Sequence, residues 1–310
     1  MYNHTRMTKR NRQIYLIILV LITVVSLPLV LLYSSGYRVN WQTYKLELTG
    51  TLLAQTLPKT AQLNIQELNR TVTTPALINN LTPGNYHVTI SKTNYANWTT
   101  AIVIKPQQTV NLNTVLLFFN QSTPQLITHY PNDIVTDNKN ITTIANLSNQ
   151  LQYQLAQLNL SDNLTILNNH ADLFTILDKT TGNLYLGIDV NNSPPIKLDA
   201  KVIQAQWDNQ NNQLLYASPY ELKIYDATAK TVRVILRQSK PLTEALWHPL
   251  NTNIVYVENN QIKVIETRAS DQPNIFTLYY GTKPNNVKIN KKGDALYFTD
   301  SDKILTLQIM

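Results

Sequence analysis

The sequence predicts an all-β protein behind one N-terminal transmembrane helix, with a β-sandwich over 46–119 and a small β-propeller over 123–310. Three observations carry this. An uncharged apolar run occupies Ile14 to Tyr33. Beyond Lys45, short segments rich in Thr, Val, Ile, Leu and Tyr alternate with Asn, Gly, Pro and Asp clusters, and no long stretch has helical periodicity. From about Ala205 onward a strand pattern recurs with a period near 40 residues, which is the spacing of propeller blades.

Composition narrows the function classes. The 310 residues include no Cys, which removes disulfide frameworks, thiolate-bound metals and thiol nucleophiles. Charged residues make up 15%, below the roughly 25% of an average soluble domain, whereas Asn fills 36 positions. Polarity therefore rests on amides and hydroxyls. With 26 Lys and Arg against 19 Asp and Glu the net charge is +7, and its meaning depends on where the charge lies.

The first twelve residues contain Arg6, Lys9, Arg10 and Arg12 and no acid, read as a basic cytoplasmic tail over 1–13. The run over 14–33, at ~1.5 Å per residue, matches a hydrocarbon core of ~30 Å. Tyr15 at one end and Tyr33, Tyr37 and Trp41 at the other suit the interfacial belts, and Pro28 is tolerable in the outer half. The positive-inside rule keeps the tail in the cytoplasm and places the chain after a linker at 34–45 outside the cell membrane. A cleaved signal peptide is the competing reading; its apolar region would span about 7 to 15 residues and end in small residues. Without the tail the chain carries +3, so no nucleic-acid partner is expected.

The first exported block offers strand candidates at Lys45–Ala54, Ala61–Gln66, Asn85–Lys92, Trp98–Lys105 and Thr109–Phe118, with turn signals at Pro58-Lys59, Asn79-Asn80, Pro83-Gly84, Asn94 and Pro106. Alternation of Tyr86, Val88 and Ile90 with His87, Thr89 and Ser91 reads as a half-buried strand. Pro83 can preset the second position of a β-turn and Gly84 can take the positive φ of type II, closing a hairpin with Tyr86 and Val88 inward. Pro58-Lys59-Thr60-Ala61, Thr74-Pro75-Ala76-Leu77, Leu81-Thr82-Pro83-Gly84-Asn85-Tyr86-His87-Val88 and Lys92-Thr93-Asn94-Tyr95 follow one another through the block. That order resembles the PEGA family, a β-sandwich module of extracytoplasmic bacterial and archaeal proteins. Thr60 and Asn94 stand where the family has Gly, and Asn is well suited to a left-handed turn. The resemblance implies a role in the cell envelope.

In the second block, Ala205-Gln206-Trp207-Asp208 with Gln213–Tyr216 aligns with Ala245-Leu246-Trp247-His248 and Asn253–Tyr256, and then with Val287–Asn290 and Ala295–Phe298. A further strand follows each: Leu222–Asp226, Ile262–Glu266 and Ile304–Leu307. Leu164–Leu167, Leu173–Leu177 and Leu184–Leu186 fit the same frame, with Ile127 to Leu155 as a degenerate first copy. The turns are read at Asn209–Asn212 and at His248–Thr252, the latter resembling the Trp-x-Pro turn of TolB-like and WD-repeat propellers. The block has room for four or five blades, forming a closed ring or an incomplete one that closes on the first block or a second chain.

Sites are sparse. His87 is expected on a solvent face, His4 in the tail, and His129, His170 and His248 in hairpins of different blades, without metal-ligand spacing. Trp207 and Trp247, with Ile289 in the equivalent place, are expected to fill blade cores, because aromatic rings at a buried-strand period are normally packing. Asp178, Asp226 and Glu266 read as solvated strand ends. No catalytic, cofactor-binding or metal-binding residue is assigned, and no cofactor is expected. The expected function is non-catalytic binding or scaffolding in the cell envelope, with the lipid bilayer as partner through Ile14 to Tyr33 and wall polysaccharide or envelope proteins outside. The alternative is a glycan-acting hydrolase or lyase whose carboxylates or His converge around the propeller axis.

Overall fold

In the computed structural model of the protein, Lys9–Ser34 form one α-helix, α1, with no buried side chain. The structure describes residues 9–40, 44–135, 141–142, 149–158, 160–168, 173–188, 194–208, 210, 212–268 and 272–310. His4, Arg6, Trp41, His170, Asn209 and Asn211 lie outside the described residues. The helix starts five residues before the apolar run and is long and apolar enough to cross a membrane. Its polar residues bond inwardly: Thr23 Oγ1 donates to Leu19 O (2.9 Å), and Ser34 and Ser35 donate to Leu31 O (2.9 and 2.8 Å). Such bonds satisfy these hydroxyls within the helix itself.

The chain divides into two units, Met1–Ser91 with Trp98–Val115, and Lys92–Asn97 with Leu116–Met310. In the first, the segment read as a linker carries β1 (Tyr37–Asn40), paired antiparallel with β2 (Lys45–Leu48). Seven strands follow: β3 (Gly50–Leu57), β4 (Gln62–Ile65), β5 (Arg70–Thr73), β6 (Ala76–Leu81), β7 (Gly84–Ser91), β8 (Trp98–Ile104) and β9 (Thr109–Leu116). They form two sheets, β6-β3-β9 and β5-β4-β7-β8. Burial alternates along β3 and β7, and Leu52, Leu63, Ile65, Ile78, Val88, Ile90 and Trp98 are almost wholly inaccessible. Each such side chain contributes roughly 1.5–3 kcal/mol by leaving water.

Three local expectations are corrected. β5 and β6 lie outside the expected strands, because Asn79-Asn80 reads as a turn. Instead Asn80, at φ 63°, sits within β6, where the register against β3 shifts between Gly50 and Leu52; an extra residue at left-handed φ makes a bulge there. Pro83-Gly84 closes no hairpin: β6 pairs with β3 and β7 with β4 and β8, so the turn carries the chain between sheets. Gly84 begins β7 and is not among the positive-φ glycines. The crossing is pinned by Tyr86, whose OH donates to Thr82 O at 2.8 Å, a tyrosine reaching back over a corner between sheets.

Thr60 keeps the left-handed backbone expected of a glycine there, at φ 62°. Thr60 N–H donates to Thr74 O (3.0 Å) and Ala61 N–H to Thr74 Oγ1 (3.0 Å), so the two Pro-containing motifs meet at buried Thr74. A β-branched residue is disfavoured at this φ. Thr60→Gly is expected to raise the unfolding free energy by about 1 kcal/mol, the relief of strain exceeding the added freedom of the unfolded chain. Urea unfolding of the detergent-solubilised chain followed at Trp98 checks it, and a lower midpoint would contradict it.

The second unit is a β-propeller of four-stranded antiparallel sheets, one of them extended to five. Its strands are β10 (Gln125–Ile127), β11 (Ile141–Thr142), β12 (Leu164–Asn168), β13 (Leu173–Asp178), β14 (Asn183–Ile188), β15 (Ile196–Asp199), β16 (Gln204–Trp207), β17 (Gln213–Ser218), β18 (Glu221–Asp226), β19 (Thr231–Arg237), β20 (Leu242–Trp247), β21 (Asn253–Glu258), β22 (Gln261–Glu266), β23 (Ile275–Tyr280), β24 (Asn285–Ile289), β25 (Ala295–Asp300) and β26 (Lys303–Gln308). Consecutive strands build β11 to β15, β16 to β19 and β20 to β23, whereas the fourth sheet runs β10-β26-β25-β24. The unit's first strand thus completes its last sheet, with Leu126 opposite Leu305. Among the described residues there are four such sheets, the smaller of the two expected blade numbers. The repeat extends to its irregularities, since the register shifts at Leu222/Lys223 and again 40 residues later at Ile262/Lys263.

The expected first copy is only partly strand. Within Ile127 to Leu155 the described residues include β11 and a short helix, α2 (Asn149–Ala156). Leu155 of that helix is buried with Ile166, Phe174 and Ile176 of β12 and β13. Eight residues make too few turns for a periodic signal.

Candidate functional site

The residues that line the propeller's inner strands build a cavity of about 290 Å³, bordered by β16, β20 and β24 together with Ile134 and Val135. Here the inner edges of neighbouring sheets are joined by side chains. Gln204 Oε1 accepts the Ala245 N–H and Gln206 Oε1 the Trp247 N–H, each at 3.0 Å. One step on, the Glu244 carboxylate accepts the Asn286 N–H (2.6 Å) and the Val287 N–H (2.8 Å). Residues two apart on a strand face the same way, so Gln204 and Gln206 together supply the acceptors of a missing strand. In the sequence Gln206 aligns with Leu246 as neighbours of the repeated Trp, and neither Gln204 nor Glu244 stands out, because their partners lie in the next sheet.

Lys288 also lines this cavity, with its Nζ 4.7 Å from the centre of the Tyr130 ring, and the Asn286 amide donates to Tyr130 OH (3.0 Å). The one carboxylate in the lining is Glu244, and backbone N–H groups occupy both of its oxygens. Among the described residues, the lining thus supplies one carboxylate where a glycosidase site uses two. Removing the acceptor should be costly: Glu244→Ala strands the N–H of buried Val287, and a loss of about 1–3 kcal/mol is expected in urea unfolding. Glu244→Gln, which keeps one acceptor, should recover part of it; equal loss in both variants would contradict the stitching role.

Trp207 and Trp247 are buried, as expected of core residues. Trp207 packs with Leu177, Leu184 and Tyr216 and donates its Nε1–H to Thr175 Oγ1 (2.9 Å); Trp247 packs with Leu215, Ile224 and Ile254 and donates to Gln206 O (3.2 Å). Each ring fills the gap toward the preceding sheet with its indole N–H satisfied. Ile289, in the equivalent place, is likewise buried.

Of the acids at strand ends, Asp178 and Glu266 are buried rather than solvated, and Asp226 is half-buried. Asp178 is buried and takes hydrogen bonds from Ser161 Oγ and from the N–H groups of Ser161, Thr180 and Thr181. Burial by itself would push its pKa up, but those donors outweigh it and hold the carboxyl well below the usual range. Asp226 accepts the N–H groups of Thr228 and Ala229 in the corresponding turn, and Glu266 is buried against Asn274 and Arg268. Sequence position marked these acids as strand ends; the groups that fold back onto Asp178 and Glu266 are what remove them from water.

Among the histidines, His87 is exposed and lies 2.6 Å from Glu67, and His129 is exposed beside Thr128. His248 is fully buried in the turn after Trp247. Its Nε2–H donates to Gly293 O at 2.9 Å while its Nδ1 accepts the Leu250 N–H at 3.2 Å. Burial, opposed by the Gly293 bond, depresses its pKa to about 4, so the ring is neutral. No group of three or more His, Asp or Glu suited to a metal ion occurs among the described residues.

Comparison with known proteins bears on both units. Residues 49–117 match the family model of the PEGA domain. That match covers the seven-stranded sandwich from β3 to the Leu116–Leu117 end and includes Thr60, Thr74 and Tyr86. No curated protein matches the chain. Among solved structures, the chain is similar to one in the crystal structure of the mitotic checkpoint complex, with 13% identity and a TM-score of 0.35 over 45% of this chain and 47% of that one. It is also similar to the Cps50 (Swd1) β-propeller domain of Myceliophteria thermophila, with 13% identity and a TM-score of 0.38 over 46% of this chain and 52% of that one. The chain thus spans about half the length of the solved chains it matches. The PEGA segment and the propeller together fit an extracellular binding or scaffold role.

Proposed function

We propose that the chain is a single-pass cell-membrane protein, its basic N-terminus cytoplasmic and its β-domains outside, where they bind or scaffold wall polysaccharide or envelope proteins of a bacterial cell without catalysing a reaction. The observation that carries this reading is the combination of one apolar helix, α1, with a PEGA-matching segment beginning fifteen residues after it. The cavity in the propeller supports it, because the acceptors of Gln204, Gln206 and Glu244 are spent on holding strands together rather than offered to a substrate. Nucleic acid is not among the proposed partners, since four of the seven excess positive charges precede the apolar run.

Protease treatment of intact cells tests the topology: digestion of the chain beyond Lys45 is expected, and protection of that portion would overturn it. Binding is tested with purified wall polysaccharide and envelope extract as baits for the solubilised chain. Retention without release of reducing sugar is expected, and turnover of a glycan without retention would overturn the binding role.

A further inference from the structure

The β1–β2 hairpin is amphipathic and leaves its apolar side uncovered. Val39 stands opposite Leu46 and Tyr37 opposite Leu48, whereas Arg38 faces Glu47 and Asn40 faces Lys45. Because side chains alternate across a strand, the first two pairs share one face and the charged and amide pairs the other. On the apolar face Val39 is 45% and Leu46 48% exposed. A directly opposed aliphatic pair normally finds cover in a folded protein.

What the hairpin is attached to indicates the cover. β1 begins three residues after the end of α1, so Val39 lies at most about 18 Å of chain from the helix end. The connection is tied down. Arg38 Nη1 donates to Tyr33 O (2.8 Å) and Tyr37 O (2.7 Å), and its guanidinium lies 3.6 Å from the centre of the Tyr33 ring. A cation there also offsets the partial negative charge of the helix C-terminus. Thr49 N–H and Oγ1 both donate to Gly36 O (3.1 and 2.9 Å), joining the far end of β2 to the helix exit. A hairpin fixed to the end of a membrane-spanning helix, apolar on one face and charged on the other, has the pattern of an interfacial element.

We propose that the β1–β2 hairpin is a second membrane contact, seating Val39 and Leu46 at the boundary between lipid headgroups and acyl chains and keeping Arg38, Lys45 and Glu47 toward water. The inference rests on α1 spanning the bilayer.

The cysteine-free chain permits single-site spin labelling without background. Ile22→Cys, Val39→Cys, Leu46→Cys and Lys45→Cys would each be labelled in the full chain, in nanodiscs of phosphatidylcholine and phosphatidylglycerol, and probed with oxygen against a water-soluble nickel reagent. The expected result is a several-fold higher oxygen-to-nickel accessibility ratio at Val39 and Leu46 than at Lys45, and a higher one still at Ile22. A lipid-exposed Ile22 label with Val39 and Leu46 no different from Lys45 overturns the hairpin inference alone. A water-exposed Ile22 label overturns the spanning helix and the inference with it. Spin–spin broadening at Val39 and Leu46, with water-like ratios at both, makes a second copy the cover and also overturns it.

Discussion

Gly293→Ala is expected to destabilise the propeller by about 3–5 kcal/mol, the sum of left-handed strain, overpacking and a lost buried hydrogen bond. Gly293 has φ +79°, where an L side chain is disfavoured, and a Cβ there would fall 2.5 Å from both Cε1 and Nε2 of His248. His248 cannot readily give way. Its ring is wholly inaccessible, lies edge-on to Phe118 with centroids 6.4 Å apart, and is held by bonds at both nitrogens. Displacing it also strands the Leu250 N–H and the Gly293 carbonyl, two groups distant in the chain but joined through this ring. Thermal and urea unfolding of the detergent-solubilised chain, followed at Trp207 and Trp247, gives the loss directly. The double variant Gly293→Ala with His248→Ala should cost less than the two single changes added together, since the clash is then removed. A midpoint for Gly293→Ala within error of the parent would refute the contact.

Acid should destabilise the same unit already between pH 7 and pH 5, through His248. The folded pKa of His248 is depressed to about 4, against roughly 6.5 for an unfolded histidine. Between those values the unfolded chain binds the proton and the folded chain does not, so stability falls as pH drops. The contribution is fully present above pH about 6.5 and declines toward pH 4, with about 2 kcal/mol lost by pH 5 and about 3 kcal/mol over the whole window. Asp178, Asp226 and Asp300, the last accepting the Thr282 and Lys283 N–H groups, are held below their usual range. Their contribution is therefore lost only at lower pH, in a second phase below about 4. Urea unfolding at pH 7 and pH 5 separates the two. His248→Gln should be less stable at pH 7 yet nearly flat between those values, and an unchanged slope in that variant would assign the pH dependence elsewhere.

Much of this architecture is written locally. A twenty-residue uncharged apolar run is long enough for a membrane-crossing helix, and the recurrence of Trp207 at Trp247 and of Ile224 at Val264 places strands of successive sheets in register. Tyr86, Val88 and Ile90 point inward because alternation along β7 permits nothing else. Burial of Trp207 and Trp247 was legible for the same reason.

Other features have no local signature. Pro83-Gly84 reads as a hairpin turn, and only the pairing of β6 with β3 and of β7 with β4 makes it a crossing between sheets. Asp178 and Glu266 look like solvated ends until Ser161 and Asn274, elsewhere in the chain, fold onto them. The cavity's polar lining becomes understandable only when Gln206 meets Trp247 and Glu244 meets Val287 across neighbouring sheets.

Sequence by itself determined the apolar helix, the strand-rich units behind it and the repeat of about 40 residues, because each is a matter of periodicity within a few residues or between equivalent positions. The tertiary structure alone decided that Leu126 of the first propeller strand lies opposite Leu305 of the last, and that His248 lies under Gly293. Those partners are distant in the chain and are chosen by packing, by shape at a single Cβ and by the need to satisfy buried polar groups, none of which leaves a trace in neighbouring residues.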